Sequence, residues 1–220
     1  MTIIIHIEDD DEHNPDRQAP RSRTFTDMGH SKENKAQSHD RIVQTAAARF
    51  REAGVEGVGV ADLMKEAGLT HGGFYRHFAS RDELVAEAVE CALRDGGRAV
   101  QALASAKLAR PVLAAALVDA YLSTAHRDGL ATSCAVTTLA GDVARSNDRA
   151  RAAYTQQVDI YLKLLTGLVA GDKPKARRIK AIAALSSLVG AVSLSRAVND
   201  EKLSREILKS AADELKAQLG

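Results

Sequence analysis

The sequence predicts an all-α protein, and three observations support this prediction. Aromatic residues make up only 4% of the 220 residues, and there are four prolines. The alternation of apolar and polar residues that is typical of strands is scarce. Apolar residues recur instead at helical spacing from about residue 38 onwards. We therefore expect one compact helical domain, or a small helical domain joined to a larger one.

The overall charge is nearly balanced, with 30 Lys and Arg residues against 29 Asp and Glu residues. Any surface for nucleic acid must therefore be local. No apolar run approaches the roughly 18 residues of a membrane span, and the short apolar run at the start is too short for a signal sequence. These features predict a cytoplasmic protein with no membrane partner.

The two cysteines, Cys91 and Cys134, fit a reducing compartment. They cannot build a disulfide framework or a CxxC metal site. The sequence also lacks the enzyme motifs G-x-S-x-G and H-E-x-x-H and the glycine pattern of a P-loop. It therefore predicts no enzyme, no catalytic residue, no metal and no cofactor.

Residues 1–37 differ from the rest of the chain and predict a disordered N-terminal tail. Six acidic residues and no Lys or Arg lie between Glu8 and Asp16, and the following polar stretch lacks helical periodicity. We interpret the tail as a flexible leader; the alternative is an arm that follows a DNA groove. Met28 is also a candidate natural start, in which case residues 1–27 come from an upstream start codon.

Four helices are expected between residues 38 and 97. The first carries an apolar stripe through Ile42, Ala46 and Phe50 and ends at Gly54, and a shorter second helix ends at Gly68. A third lies within LTHGGFYRHF, residues 69–78. Ser80 and Glu83 form a capping box for the fourth, which is expected to end at Gly96 and Gly97.

Helical periodicity continues to the C-terminus. We expect helices near 99–108, 110–127, 133–145, 148–170, 174–197 and 201–219. Pro111 suits a first turn, and Asp200 or a neighbour is expected to cap the last helix. The chain is therefore divided into a domain over 38–97 and a second helical domain over 98–220.

The second and third helices, joined by AGLT, predict a helix-turn-helix. The stretch from Ala67 to Arg81 contains no acidic residue but holds His71, Arg76 and His77. Such a local positive bias favours a surface that faces phosphate.

The stretch RIVQTAAARFREAGVEGVGVADLMKEAGLTHGGFYRHFASRDELVAEAV resembles the DNA-binding domain of TetR-type (TetR/AcrR) transcriptional repressors. The matching residues are Phe50, Gly54, Ala67-Gly68-Leu69, the Gly, Tyr, His and Phe of GFYRHF, and Arg81-Asp82-Glu83-Leu84. The resemblance implies a three-helix, helix-turn-helix DNA-binding domain followed by a helical ligand-binding and dimerisation domain. Gly59-Val60 departs from the family, which often has Thr there.

The adjacent glycines Gly72 and Gly73 are unusual in a helix, where each costs about 1 kcal/mol relative to Ala. In a helix-turn-helix, the N-terminal part of the recognition helix enters the major groove. We interpret the glycines as allowing the backbone to approach DNA closely. The alternative is that they only loosen a turn.

Roles are assigned to the neighbouring residues by position. Thr70 is expected to cap the recognition helix, and His71 and Arg76 to reach base edges or phosphates. Phe74 and Phe78 are expected in the core. The resemblance implies phosphate contacts for Tyr75, His77 and Arg81. The predicted DNA-binding residues are Thr70, His71, Gly72, Gly73, Tyr75, Arg76, His77 and Arg81.

The resemblance also implies a homodimer, and the sequence supports it independently. AIAALSSLVGAVSLSRAV is apolar or small over much of its circumference, so we expect it to be buried. The helices near 174–197 and 201–219 would form a four-helix interface with a second copy. The alternative places both helices within one monomer's core.

An unknown small-molecule effector is implied for the second domain. Candidate ligand-binding residues are Leu117, Tyr121, Cys134, Tyr154 and Tyr161, with Leu122 and Leu139 beside them; plain core packing is the alternative. Ser133 is a plausible N-cap, which would place Cys134 in a helix first turn, where thiolate is favoured. The alternative for Cys134 is a small packed residue.

The sequence therefore predicts a sequence-specific regulator bound to double-stranded DNA, a repressor released from a palindromic operator by a small molecule. One alternative is a repressor that senses electrophiles or oxidants through Cys134. An activator, a ligand-free repressor and a cysteine-dependent enzyme are further alternatives. An enzyme would not need the acid-free stretch from Ala67 to Arg81.

Overall fold

The computed structural model describes residues 25–105, 108–171 and 173–219. The chain divides into two units, Met1–Ala36 and Gln37–Gly220. Within the described residues the regular structure consists of α-helices and short 3-10 helices, with no strand. The predicted all-α class is confirmed.

Four elements form the N-terminal part: helix α1 (Phe25–Ala53), helix α2 (Val60–Glu66), a 3-10 helix (His71–Arg76) and helix α3 (Arg81–Ala104). We call the 3-10 helix the recognition segment. Helix α1 begins before residue 38, so residues 25–37 of the predicted disordered tail are helical. Extending an existing helix is easier than nucleating one, which explains this difference. Residues 1–24 of the predicted tail lie outside the described residues.

Helix α3 passes through the glycine pair where the sequence predicted its end. Neither Gly96 nor Gly97 has a positive φ, whereas Gly54 and Gly68, at +75° and +73°, terminate helices as expected. A Cβ on Gly96 would lie 3.2 Å from the hydroxyl of Tyr161. The glycines therefore allow close packing against a later helix, and no separate helix starts near residue 99.

The C-terminal part contains seven further α-helices and one 3-10 turn (Leu130–Thr132) among the described residues. The helices are α4 (Arg110–Tyr121), α5 (Thr124–Asp128), α6 (Ala135–Thr138), α7 (Ala140–Ala144), α8 (Asp148–Leu168), α9 (Pro174–Ala197) and α10 (Glu201–Leu219). The expected helix over 110–127 is broken where Ser123 Oγ accepts a 3.0 Å bond from the His126 N–H and starts α5. The expected helix over 133–145 is likewise divided into α6 and α7.

The predicted first turns of α4 and α10 are present. Pro111 lies in the first turn of α4, and Oδ1 of Asp200 accepts 2.8 Å and 3.1 Å hydrogen bonds from the N–H groups of Lys202 and Leu203. Asn147 caps α8 by accepting a 3.0 Å bond from the Ala150 N–H. These side chains satisfy backbone donors that have no partner within the helix.

Helix α9 is long and apolar enough to cross a membrane by length and composition alone. Serines and a glycine interrupt its apolar residues, so counting uninterrupted runs in the sequence overlooked it. Its inner face, which includes Ala181, Leu185, Leu188 and Val192, is buried. Core helices pass the same composition test.

Candidate nucleic-acid interface and ligand cavity

The turn between α2 and the recognition segment is fixed by its backbone. The Leu69 N–H donates to the carbonyl of Met64 at 2.8 Å, and the Gly68 N–H donates to that of Lys65 at 3.0 Å. Gly68 adopts the left-handed conformation that this reversal needs, at φ +73°. The predicted helix-turn-helix is thus present, with Gly68 at its corner.

The recognition segment is a 3-10 helix instead of the expected α-helix. The Gly73 N–H donates to the Thr70 carbonyl at 2.9 Å, and the His77 N–H donates to that of Phe74 at 2.9 Å. Thr70 has the extended backbone of an N-cap residue, but its side chain makes no capping hydrogen bond. Thr70 is therefore the N-cap residue, as predicted, but its hydroxyl does not make the cap.

Two features of a fold can require glycine, a positive φ and a lack of space for a side chain, and the structure excludes both for the paired glycines. Neither Gly72 nor Gly73 has a positive φ. A Cβ on Gly72 would meet nothing within 4 Å, and one on Gly73 would make ordinary contacts with Met64 Cε at 3.6 Å and Thr70 Oγ1 at 3.7 Å. Neither turn conformation nor packing among the described residues requires glycine here.

Aromatic side chains anchor the recognition segment. Phe74 and Phe78 are buried with Ile42, Phe50 and Leu63, as the sequence predicts. The ring of His39 stacks on Phe78 at 4.5 Å, and its Nε2 lies 2.7 Å from a carboxylate oxygen of Glu87. This packing connects the segment to both α1 and α3.

The predicted DNA-binding residues around this anchor are mostly exposed. Thr70, His71, Gly72, Tyr75 and Arg76 are exposed, whereas Gly73, His77 and Arg81 are half-buried. The Tyr75 residue is 76% exposed. Neither Tyr75 nor Arg76 forms a hydrogen bond or ion pair with another described residue, so both polar groups remain available to a partner.

Arg81 is engaged differently from the free phosphate contact that the resemblance implies. Its Nη2 donates to the carbonyls of Val55 and Val58 at 2.6 Å and 3.2 Å, and its Nη1 lies 3.5 Å from Glu56. The α1–α2 turn is therefore held by this guanidinium. On the other side of the same turn, the Val55 N–H donates to Oδ1 of Asp142 in α7 at 3.0 Å. Sequence reasoning missed Asp142, because the contact joins residues far apart in the chain.

In the C-terminal part, four of the predicted ligand-binding residues line one cavity of about 200 Å³: Leu117, Tyr121, Cys134 and Tyr161. Tyr154 is not in its wall; its hydroxyl donates to the Val136 carbonyl at 2.6 Å. Leu122 and Leu139 are core residues. We call this space the inner cavity.

Polar groups in the wall of the inner cavity bond to one another. His126 Nδ1 donates to the Tyr121 carbonyl at 2.6 Å, while Nε2 accepts the Cys134 N–H at 3.0 Å. These partners assign the neutral tautomer, since a protonated Nε2 would oppose a backbone donor. Burial lowers the pKa of His126, and nearby Arg196 lowers it further, although the bond to Tyr121 opposes both effects.

Cys134 differs from its predicted setting. It is itself the N-cap residue of α6, a helix of only four residues, and Ser133 does not act as the cap. Its Sγ lies 3.8 Å from the Tyr161 hydroxyl, and burial is the main reason that the pKa of Tyr161 is raised. The expected position in a helix first turn is therefore wrong. Cys91 is also buried.

The described residues contain no group of three or more His, Cys, Asp and Glu side chains suited to hold a metal ion.

Comparison with known proteins gives consistent matches. The family model described as bacterial regulatory proteins, tetR family, matches residues 42–88. An HTH-type transcriptional regulator of Mycobacterium tuberculosis (strain CDC 1551 / Oshkosh), itself described as uncharacterized, is 30% identical over 172 residues, which cover 73% of this chain and 85% of the relative.

Solved structures show the same fold at lower identity. The reduced form of E. coli NemR matches with a TM-score of 0.70 and 18% identity, covering 84% of this chain and 97% of that chain. A TetR transcriptional regulator from Chloroflexus aurantiacus J-10-FL matches with a TM-score of 0.68 and 22% identity, covering 84% of this chain and 95% of that chain. The likeness therefore extends well beyond the helix-turn-helix.

Proposed function

Because the chain belongs to the TetR family of bacterial transcriptional regulators, we propose that it is a cytoplasmic repressor released from a palindromic operator by a small molecule. The proposal rests on the structure of the recognition segment. It presents Tyr75 and Arg76 without a hydrogen bond or ion pair to another described residue, beside two glycines that the fold itself does not require.

The recognition segment suits the major groove. Gly72 lets the backbone approach base edges, since no side chain sets a minimum distance there. Arg76 has the donor fork that pairs with guanine O6 and N7, and His71 and Tyr75 offer hydrogen bonds to phosphate or bases. The absence of acidic residues from Ala67 to Arg81 removes repulsion from the DNA backbone.

Exposed apolar side chains support dimerisation through α9 and α10. Ile179, Ile182 and Leu194 of α9 are 60%, 45% and 58% exposed, and Leu203 of α10 is 42% exposed. No Lys, Arg, Asp or Glu occurs from Ala181 to Ser195, so the outward face of α9 is uncharged there. Burying this face against a second copy would place both helices in a four-helix interface.

Contacts link the inner cavity to the proposed dimer helices. Arg196 of α9 donates to the carbonyls of His126 and Arg127 at 2.9 Å and 2.8 Å. The guanidinium of Arg127 bonds Glu201 and Ser204 of α10 at 2.9 Å and 2.7 Å. A ligand that displaces His126 would therefore disturb the helices that set the spacing of the two recognition segments, which must lie about 34 Å apart to enter successive major grooves.

Selection of bound sequences from a random pool of DNA tests the operator hypothesis. We expect an inverted repeat whose half-sites lie one helical turn apart. Arg76→Ala should then relax the preference at one position in each half-site, at a cost of about 1–3 kcal/mol there. Arg151→Ala is the control, because that exposed side chain lies on α8. Enrichment without symmetry, or none at all, would contradict the proposal.

A second candidate, a repressor that senses electrophiles or oxidants, is favoured by the position of Cys134 in the cavity wall. Cys134→Ser should then bind operator normally yet ignore a quinone-like electrophile that releases the unmodified protein. If an apolar ligand is the effector, the same variant should respond almost as the unmodified protein does. Operator release by a panel of both compound types separates the two candidates.

A cysteine-dependent enzyme is disfavoured by the same contacts. His126 Nε2 already accepts the backbone N–H of Cys134. Its lone pair is therefore not available to remove the thiol proton, which a nucleophilic cysteine with a histidine base would need.

A further inference from the structure

A second cavity adjoins the inner one and has a different character. It encloses about 730 Å³ and is lined by charged residues from α1 and α3, among them Arg51, Arg94 and Arg98, together with Asp40 and Asp95. We call it the vestibule. Gly96 and Thr132 line both the vestibule and the inner cavity, so the two spaces meet at these residues.

Arg51 is the unusual group in the vestibule. Its side chain is only 6% exposed, and its Nε has no hydrogen-bond partner among the described residues. Nη1 donates to the carbonyl of Ala92 at 3.2 Å, while Nη2 lies 3.8 Å from the Asp95 carboxylate. The edge formed by Nε and Nη2, which binds a carboxylate with two parallel hydrogen bonds, is thus incompletely filled. A buried donor without a partner is costly, so an occupant that accepts from Nε would stabilise the site.

Besides Arg51, the vestibule contains a second arginine, Arg94, that is available to bind such an occupant. Asp95 forms an ion pair with Arg98. Arg94 is exposed and makes no hydrogen bond or ion pair with another described residue. Asp40 also lines the space and opposes an anion, so three arginines face two carboxylates. The balance favours one negative charge beside Arg51 and Arg94.

The inner cavity offers the opposite environment. Its wall includes Val100, Leu117 and the rings of Tyr121 and Tyr161, and it contains no Lys, Arg, Asp or Glu. A smaller apolar space of about 40 Å³ adjoins Leu117 and extends to Leu185 and Leu188. Together these surfaces suit an uncharged hydrocarbon group.

The geometry points to an amphipathic organic carboxylate as the ligand of this pair of cavities, with its anionic head on Arg51 and Arg94 and its apolar body in the inner cavity. This inference rests on the proposed effector-release function only for its effect on DNA. Because Arg51 belongs to α1 and Arg94 to α3, a head group held by both would couple ligand binding to the DNA-binding part.

Calorimetric titration of the full chain without DNA tests the ligand class. The probes are butanoate, hexanoate and octanoate, with octanamide as the uncharged control and inorganic phosphate as the anion without an apolar body. Affinity should rise about tenfold for each two methylenes added. Octanamide should bind at least about tenfold more weakly than octanoate, since it lacks the charge-assisted pairing.

Two variants separate the two halves of the site. Arg94→Gln, at an exposed position without internal partners, should weaken octanoate about tenfold and leave octanamide unchanged. Leu117→Phe should fill the inner cavity and abolish the gain with chain length. Arg151→Gln, which removes an exposed arginine of α8, should bind as the unmodified protein does.

Equal binding of octanoate and octanamide, or no effect of Arg94→Gln, would overturn the anionic site. Phosphate binding as tight as that of octanoate, or no gain with chain length, would overturn the amphipathic ligand. The absence of binding by every probe would overturn both. Octanoate that binds but does not release operator DNA would uphold the site and contradict effector release by this ligand class, so the two failures are distinguishable.

Discussion

The recognition segment and the inner cavity use polar side chains in opposite ways. In the recognition segment, Tyr75 and Arg76 are exposed and form no hydrogen bond or ion pair with another described residue. In the cavity wall, both ring nitrogens of His126 are hydrogen-bonded to the backbone of Tyr121 and Cys134, and the Tyr121 hydroxyl lies 2.6 Å from the Thr137 hydroxyl. A surface whose polar groups have no hydrogen-bond partners is suited to bind a large polar partner, whereas a wall whose hydrogen bonds are satisfied holds the shape of the cavity around an apolar group. The first arrangement is encoded by residues that are neighbours in the sequence. The second depends on contacts between segments that are far apart in the chain.

Enlarging the side chain at Gly72 should produce the largest effect, which is a loss of DNA binding by the recognition segment. Since an added Cβ meets nothing within 4 Å, Gly72→Leu should fold and unfold as the unmodified protein does. Its side chain would hold the backbone away from the groove, so we expect operator affinity to fall roughly 100-fold as several contacts are lost. Thermal unfolding and a DNA-binding titration measure the two properties.

Gly167→Leu is the matched control for this substitution. An added Cβ at Gly167 in α8 also meets nothing within 4 Å, but the position lies outside the recognition segment. This variant should keep full operator affinity. Unchanged affinity in a folded Gly72→Leu variant would mean that the glycine does not lie at the DNA surface.

Arg81→Ala tests whether Arg81, which follows the recognition segment in the chain, contacts DNA or stabilises the fold. Losing the bonds to the carbonyls of Val55 and Val58 should lower the free energy of unfolding by about 2 kcal/mol. If Arg81 also contacts a phosphate, as the family resemblance implies, the salt dependence of DNA binding should decrease by about one unit of slope. Destabilisation with an unchanged slope would leave Arg81 a purely structural role.

The comparison also explains what the sequence could reveal. The helix-turn-helix was predictable because its marks are local: Gly54 and Gly68 end helices, and Phe74 and Phe78 recur at a helical interval. The 3-10 geometry was not predictable, because over six residues both helix types bury Phe74. The continuation of α3 past Gly96 depends on the approach of Tyr161 from α8, which no local pattern encodes.

The candidate ligand site was predictable only in part. The apolar, aromatic or thiol side chains of Leu117, Tyr121, Cys134 and Tyr161 predict a ligand site from the sequence, and the fold places all four around one cavity. Arg51 was missed although a signal existed, since it follows Val43 and Ala47 at intervals of four on the buried side of α1. A charged residue in register with an apolar stripe marks a buried cation that requires a partner.

The pH dependence of stability should report on His126 in the wall of the inner cavity. The pKa of His126 is lowered in the folded protein, so the unfolded chain binds a proton at a higher pH than the folded chain does. The free energy of unfolding should therefore decrease as the pH falls below the ordinary histidine value near 6.5, by up to about 1 kcal/mol over the next pH unit. Thermal unfolding from pH 7.5 to 5.5 should show this decrease in the unmodified protein and not in His126→Gln.

His71→Gln is the control for that experiment, because His71 is exposed in the recognition segment. It should retain the full pH dependence of the unmodified protein. The same dependence in His126→Gln would contradict the assignment of His126 as a neutral bridge between Tyr121 and Cys134.

The smallest effect is expected from a chain that begins at Met28, which lacks residues outside both regions. The acidic residues from Glu8 to Asp16 would be repelled by phosphate, so their removal should not weaken DNA binding. Helix α1 begins at Phe25, and the shortened chain keeps all but its first three residues. We expect operator affinity within about twofold of the full chain and the same unfolding temperature, because a few terminal helical residues contribute little to stability. A tenfold loss of affinity would instead show that an N-terminal arm contacts the operator. The DNA-binding surface would then extend beyond the recognition segment.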